Sequence, residues 1–296
     1  MTPRPRRANR AHRSLTTPGH ARLLDLCLYP ALTLLLITFK PTTINGDIGE
    51  GWTLATIRNL SDPNYPSVIW RTFWISSVIT VLCLVLAVPA AYYIARSVPR
   101  VRNRVLMLVM IPFLTNFIIR VFAWKVILHP EGFLSRLATL LGLMDPGGQL
   151  LYNPGAVVLV SVYTYLPFAI LPVYAAAEKF DFTLMEAAMD LGCRRLEAFL
   201  RVFVPGIRQG LLTAALLVFI PNLGSYVIPE IVGGVDSELL GNKIAQRLFT
   251  DRNLPHAAGL ASLLTILVVV PMVVIIFAHR RREAAGVQAE PEHIDR

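Results

Sequence analysis

Charge is scarce in this sequence, and so are the groups that mark a metal or catalytic centre. Of its 296 residues 16% are Asp, Glu, Lys or Arg and 54% are hydrophobic. An ordinary soluble domain carries roughly a quarter charged residues, so the balance indicates a chain embedded in a membrane. Cysteine is nearly absent: Cys27, Cys83 and Cys193 are odd in number and show no paired spacing, which excludes a disulfide framework and a cysteine zinc site. The six histidines are scattered, with no HExxH or similar ligand pair, so no metal site and no catalytic residues are expected. No GxxxxGK[ST] occurs, and without it the chain cannot cradle ATP phosphates as a P-loop does. The long apolar runs lack paired carboxylates, which argues against an intramembrane enzyme. They also show no clear buried acidic residues or inverted repeats, which argues against a transporter driven by an ion gradient.

What is abundant is apolar sequence in blocks. A membrane-crossing helix needs about 20 mostly apolar residues, and six segments meet or approach this: residues 23–39, 68–95, 105–128, 155–177, 211–232 and 257–278. The first follows an arginine-rich leader but leads into KPTTINGD, without a small-residue cleavage site, and is read as an uncleaved span. The expected class is an all-α polytopic membrane protein with six transmembrane helices over 23–278. A basic tail, 1–22, precedes it and a second tail, 279–296, follows.

Lys and Arg outnumber Asp and Glu 28 to 19, and they gather in the gaps between apolar runs rather than in a stripe across folded domains. This excludes nucleic acid as a partner and points to orientation in a membrane. The leader (Arg4, Arg6, Arg7, Arg10, Arg13, Arg22), the second connection (Arg96, Arg100, Arg102, Arg104), the fourth (Lys179, Arg194, Arg195, Arg201, Arg208) and the tail (Arg280, Arg281, Arg282) all fall on one side if six helices alternate. By the positive-inside rule that side, with both termini, is cytoplasmic. Trp52, Trp70, Trp124 and Tyr152 lie near the opposite boundary, as an aromatic belt does.

Within the spans, Thr72, Ser76 and Thr80 recur every four residues on one helix face, a pattern of close helix packing or of a pathway lining. Pro89, Pro112, Pro167 and Pro271 are expected to kink spans.

Between the fourth and fifth spans lies EAAMDLGCRRLEAFLRVFVP, residues 186–205, with more charge than a bilayer interior accepts. Thr183 and Glu186 have capping-box spacing. Leu184, Ala187, Ala188 and Leu191 share one helix face, and Gly192 suits a left-handed helix end. A second helix follows with Leu196, Phe199, Leu200 and Phe203 on one face, and Pro205 closes it or opens the next span. The result is a Gly-hinged knob on the cytoplasmic side. Its first helix is acidic (Asp181, Glu186, Asp190), so anionic lipid headgroups would repel it, and a groove on a protein partner suits it better.

This stretch resembles the EAA motif of the membrane subunits of ATP-binding-cassette importers. Glu186, Ala187, Ala188, Gly192 and Pro205 match as they stand, while Val202 and Val204 replace Ile and Leu. The segments IPFLTNFIIRVFAWKVIL, VYTYLPFAILPVYAAAEKFD and IPNLGSYVIPEIVGG resemble the permease subunits of spermidine/putrescine importers, so that with the motif most of residues 68–260 is covered. The resemblance implies a type I importer (MetI-like) transmembrane domain with its coupling helix in a loop at about 178–208. It also implies a dimer of ATPases holding the ATP, a second related permease in a heterodimer, an external solute-binding protein, and location in a bacterial inner membrane. No cofactor is implied for this chain.

Coupling to the ATPase is expected from Glu186, Ala187, Ala188, Gly192, Leu196, Phe199 and Pro205. For the pathway the candidates are Tyr163, Tyr165, Asn222, Tyr226, Glu230 and Arg120. Glu230 is the best placed carboxylate for an ammonium group, though capping or pairing with Arg120 fits it equally, and Arg120 reads as an anchor or as a gate. Ser225 departs from the acidic residue of many relatives. Iron(III), an opine, an amino acid or another small solute are the alternatives to a polyamine.

Overall fold

The computed structural model describes residues 26–269 apart from 27, 44–45, 61–62, 143–144 and 146–147. The leader, Cys27, Pro271, the tail arginines and the end of the sixth expected span lie outside the described residues. Two compact units emerge, residues 1–62 with 244–296, and residues 63–243. The described secondary structure is helical, with one isolated bridge between Thr42 and Ile48.

In the larger unit two unbroken helices are long and apolar enough to cross a membrane: α3 (Asn64–Arg96) and α7 (Pro154–Glu178). They run parallel. Arg71 and Ile75 line a cleft with Pro154 and Val158, and further along the Cys83 thiol lies 3.8 Å from the Val162 carbonyl. Pro89 in α3 and Pro167 and Pro172 in α7 are accommodated without a break in either helix. Between them come α4 (Pro99–Met110), a 3₁₀ turn (Ile111–Leu114), α5 (Phe117–Leu128) and α6 (Phe133–Leu140).

The third expected span, 105–128, is not one helix. The stretches Pro99–Leu114 and Phe117–Leu140 meet at 90°. Pro112 sits in the 3₁₀ turn, and Asn116 starts α5 anew, its Oδ1 accepting the Ile118 and Ile119 N–H groups at 2.9 and 3.4 Å. A proline that cannot continue the helical ladder followed by a side-chain cap is a helix boundary.

The fifth span, expected at 211–232, is also divided. α11 (Arg208–Leu223) stops before Gly224 and Ser225, and α12 (Val227–Val232) follows as a separate short helix. α11 runs antiparallel to its neighbours: Gly210 lies on Ala176 and Pro172 of α7, and Phe219 meets Phe73 of α3 edge-on at 5.3 Å. At Gly210 an added Cβ would fall 2.4 Å from the Ala176 Cβ. A small residue therefore sets how closely these helices approach.

The core follows from this packing. Ile79, Ala87, Ala91, Val157, Val160, Val173, Ala214 and Val218 are buried on α3, α7 and α11. Thr72, Ser76 and Thr80 face inward too. Thr72 Oγ1 donates to the Val68 carbonyl and accepts the Leu240 N–H, each at 2.8 Å. Leu240 opens α13 (Leu240–Ala245), so the four-residue repeat includes a tie between chain segments as well as helix packing.

The smaller unit holds α1 (Leu28–Thr38), α2 (Ala55–Leu60) and α14 (Leu254–Val269). Thr38 and Ser262 hydroxyls lie 3.3 Å apart. Gly259 abuts Thr56 and Leu60 of α2.

Candidate functional site

The knob begins where α7 ends. Asp181 Oδ1 accepts both the N–H of Thr183 (3.0 Å) and its hydroxyl (2.7 Å), and these bonds hold the Asp181 carboxyl below its ordinary range. The first helix, α8 (Thr183–Asp190), is therefore led in by Asp181, not by the expected box of Thr183 with Glu186; Phe182 is its N-cap residue and no side chain caps there. The aspartate two residues upstream is the stronger acceptor because it is charged.

Gly192 takes φ +94°. Its N–H bonds to the Met189 carbonyl at 2.9 Å and the Cys193 N–H to that of Ala188 at 3.0 Å, the paired bonds of a Schellman end. No atom lies within 4 Å of where a Cβ would sit. The requirement for glycine is thus one of backbone conformation and not of space.

The second helix comprises α9 (Arg195–Ala198), a π-helical turn (Phe199–Phe203) and α10 (Val204–Gly206), bent by 71° from α11 at Ile207. Pro205 lies inside α10, near the bend. Glu197 Oε2 accepts the Arg194 N–H at 3.1 Å, which fastens the start of α9.

The faces differ from the sequence expectation. Inward on α8 are Met185, buried, and Ala188 and Met189, half-buried, while Leu184, Ala187 and Leu191 point out. In the second helix Ala198 and Phe203 are buried and Phe199 half-buried, whereas Leu196 and Leu200 are exposed. The reason lies beneath the knob. Tyr92 of α3 meets Phe199 at 5.2 Å and Phe203 at 5.0 Å, both edge-on. Phe180 packs edge-on against Phe182 and Phe203, each at 5.3 Å. Arg96 lies over the Tyr92 and Phe182 rings and donates to the Tyr92 hydroxyl at 2.9 Å.

Five rings and a guanidinium thus hold the knob to the end of α3. Edge-to-face pairs add about 0.5–1.5 kcal/mol each beyond area burial. Sequence reasoning placed Phe199 toward the partner and missed the cluster. Its signal is the pair of aromatics on either side of the first knob helix and its glycine, Phe180 and Phe182 before and Phe199 and Phe203 after. A second brace, Arg102 of α4 to Glu178 at the end of α7, measures 2.8 Å.

The expected pathway residues separate into groups. Tyr163 packs edge-on with Trp124 at 5.3 Å. The Tyr165 hydroxyl interacts with the Ser225 side chain, so the neighbour of Ser225 is a neutral group. Arg120 lies 5.6 Å over the Phe113 ring, and its buried Nε has no partner. Glu230 Oε2 accepts from Asn242 Nδ2 at 2.8 Å; its partner is therefore Asn242 and not Arg120. Asn242 also donates to the Tyr226 carbonyl at 3.1 Å and caps Leu239 at 3.2 Å. This organising asparagine was not picked out from sequence. Its neighbour Gly241 has backbone packed so tightly on Ser225 that a Cβ would fall 2.5 Å from the Ser225 carbonyl oxygen. Asn222 is 1% exposed, and neither its Oδ1 nor its Nδ2 has a partner.

Comparison with known proteins agrees with this architecture. Residues 87–283 match the model of the family described as binding-protein-dependent transport system inner membrane component. The spermidine/putrescine transport system permease protein PotB of Haemophilus influenzae is 33% identical over 259 residues, covering 88% of this chain and 89% of that protein. Among solved structures, a bacterial importer of the acidic polysaccharide alginate superposes with a TM-score of 0.62 at 15% identity, over 93% of this chain and 98% of that one. The alginate transporter in complex with an alginate pentasaccharide-bound periplasmic protein gives 0.59 at 16% identity, over 93% and 97%. At such identities the structures speak for the fold. The chain belongs to the family of binding-protein-dependent transport system inner membrane components and is the permease subunit of an ATP-binding-cassette importer.

Proposed function

We propose that this permease carries polyamines, putrescine and spermidine, across the inner membrane with its knob seated in a partner ATPase on the cytoplasmic side. The observation that carries the coupling half is the knob's outer surface. Leu191 is 88% exposed, Leu200 55% and Leu184 53%, on a framework whose inner side is packed with rings. Apolar side chains presented by a rigid base and bordered by Glu186, Asp190 and Arg194 suit a groove in another protein. The cytoplasmic placement rests on the Lys and Arg distribution.

ATP is bound and hydrolysed by a dimer of separate subunits, and this chain needs no cofactor. Closure of the ATPases carries the knob, and the aromatic cluster passes that movement to α3. A second, related permease completes the pathway, and an external binding protein delivers the solute.

The polyamine assignment is supported by the similarity to the named polyamine permease. Glu230 with Asn242, and the ring faces of Tyr163, Tyr165 and Tyr226, supply groups able to meet ammonium and methylene parts of a diamine. Arg120 and Asn222 complete the candidate lining.

The test is uptake of labelled putrescine and spermidine by cells carrying the whole transporter, wild type against Gly192→Asp at equal membrane expression. Saturable uptake lost in the variant supports both substrate and coupling. Wild-type uptake no greater than in a strain without the permease removes the polyamine assignment, and the binding protein is then screened against iron(III), opines and amino acids.

A further inference from the structure

A cleft of about 580 Å³ opens between the last two turns of α3 and the second helix of the knob, lined by Pro89, Tyr92, Arg96, Arg195, Leu196 and Phe199. It holds no carboxylate. Arg96 and Arg195 are exposed, and neither belongs to an ion pair among the described residues. Pro89 and Arg96 are seven residues apart, so the cleft runs about 10 Å along the helix axis, from the apolar part of a spanning helix to its basic end. Its floor is continuous with an outward stripe of α3, in which Leu82, Val85 and Leu86 are 40%, 61% and 48% exposed.

We infer that this cleft holds an anionic phospholipid, its phosphate between Arg96 and Arg195 and an acyl chain along Pro89 and the α3 stripe. Two guanidiniums at headgroup level above an apolar floor match a lipid phosphate with its attached chain. A free anion leaves the floor unused, and a polar protein loop would set its backbone against it. The acidic residues of the knob's first helix, Asp181, Glu186 and Asp190, are not among the residues that line this cleft. A lipid seated here touches both the end of α3 and the lever that moves with the ATPase, and its presence stiffens that joint. The inference rests on the cytoplasmic placement of the knob proposed above.

The experiment is native mass spectrometry of the full chain in neutral detergent, titrated with phosphatidylglycerol or with phosphatidylcholine of the same acyl chains. One phosphatidylglycerol is expected to be retained in preference to phosphatidylcholine. Arg195→Gln is expected to weaken it about fivefold, the double variant Arg96→Gln/Arg195→Gln to abolish the preference, and Arg100→Gln, outside the cleft, to keep it. Arg96 also braces Tyr92 and Phe182, so unfolding is measured alongside, and Arg195→Gln carries the test if the double variant does not fold. An unchanged preference in the arginine variants overturns the inference. So does displacement of the lipid by equimolar glycerol phosphate, which marks a soluble-anion site, or its expulsion when ATPase subunits bind, which marks a protein contact. The measurement needs no transport. A chain that retains phosphatidylglycerol but imports no polyamine loses the proposed substrate and keeps the lipid site.

Discussion

The knob and the region around Glu230 use polar and apolar groups in opposite ways. In the knob, rings are turned inward and leucines are left on the surface, and the helix ends are closed by local bonds such as those of Asp181 and Gly192. Around Glu230 the side chains of Asn222 and Asn242 lie inside, while Glu230 and Tyr226 are exposed. Some are tied, as Asn242 is to Glu230 and Tyr226, and some are left without protein partners, as Asn222 is. A docking element gains from a stiff base beneath an apolar surface. A region that meets a hydrated solute gains from polar groups that the protein does not itself satisfy. Substitutions in the knob should therefore disable coupling, and those around Glu230 should alter the handling of solute.

The largest effect is expected from Phe203→Ala. This ring is wholly buried against Tyr92, Phe180 and Phe199, and its removal should cost about 3–5 kcal/mol. Knob-specific proteolysis should rise and ATPase subunits should no longer co-purify. Leu191→Asp makes the contrasting test on the outer surface: unfolding should be unchanged while ATPase co-purification falls at least about tenfold, the scale of a lost interface anchor. If Leu191→Asp left the complex intact, the exposed leucines would not be the docking surface.

At the other region, Asn242→Ala should leave ATPase co-purification untouched and raise the KM for uptake several-fold, because Glu230 loses its orienting donor; hydrogen bonds to charged groups are worth about 1.5–3 kcal/mol. Gly192→Ala comes next, at about 1–2 kcal/mol of backbone strain, since space for the methyl group is already present. A drop as large as that of Phe203→Ala would contradict this, and co-purification measures it.

The smallest effect is expected from Asp181. Its folded pKa lies below the ordinary 3.8, so its contribution is complete above that value and is lost as pH falls through the lowered pKa. Asp181→Asn should loosen the knob slightly at pH 7, and the difference from wild type in thermal unfolding should vanish in stronger acid.

Much of this was legible because it is local. Gly192, just past the cap residue of an eight-residue helix, signals a left-handed end whatever surrounds it, and it takes one. The blocks of apolar residues gave two spans that the structure keeps whole. The third and fifth fail as single helices because composition measures solubility in lipid and not continuity. Asn116 and the Gly224–Ser225 step break helices within apolar sequence, and hydropathy does not register a cap. The partners of Glu230 were hidden for another reason, since Asn242 lies twelve residues on and beyond a turn.

By itself, then, the sequence determined the class of the chain, its spans in outline, the hinged knob and its kinship, all consequences of residue type and short spacing. Only the tertiary structure decided which face of the knob is free. Leu184 and Met185 are equally apolar neighbours, and nothing local ranks them. Met185 is buried and Leu184 exposed because the knob is seated over a bed of rings from α3 and its own flanks, which only folding brings together.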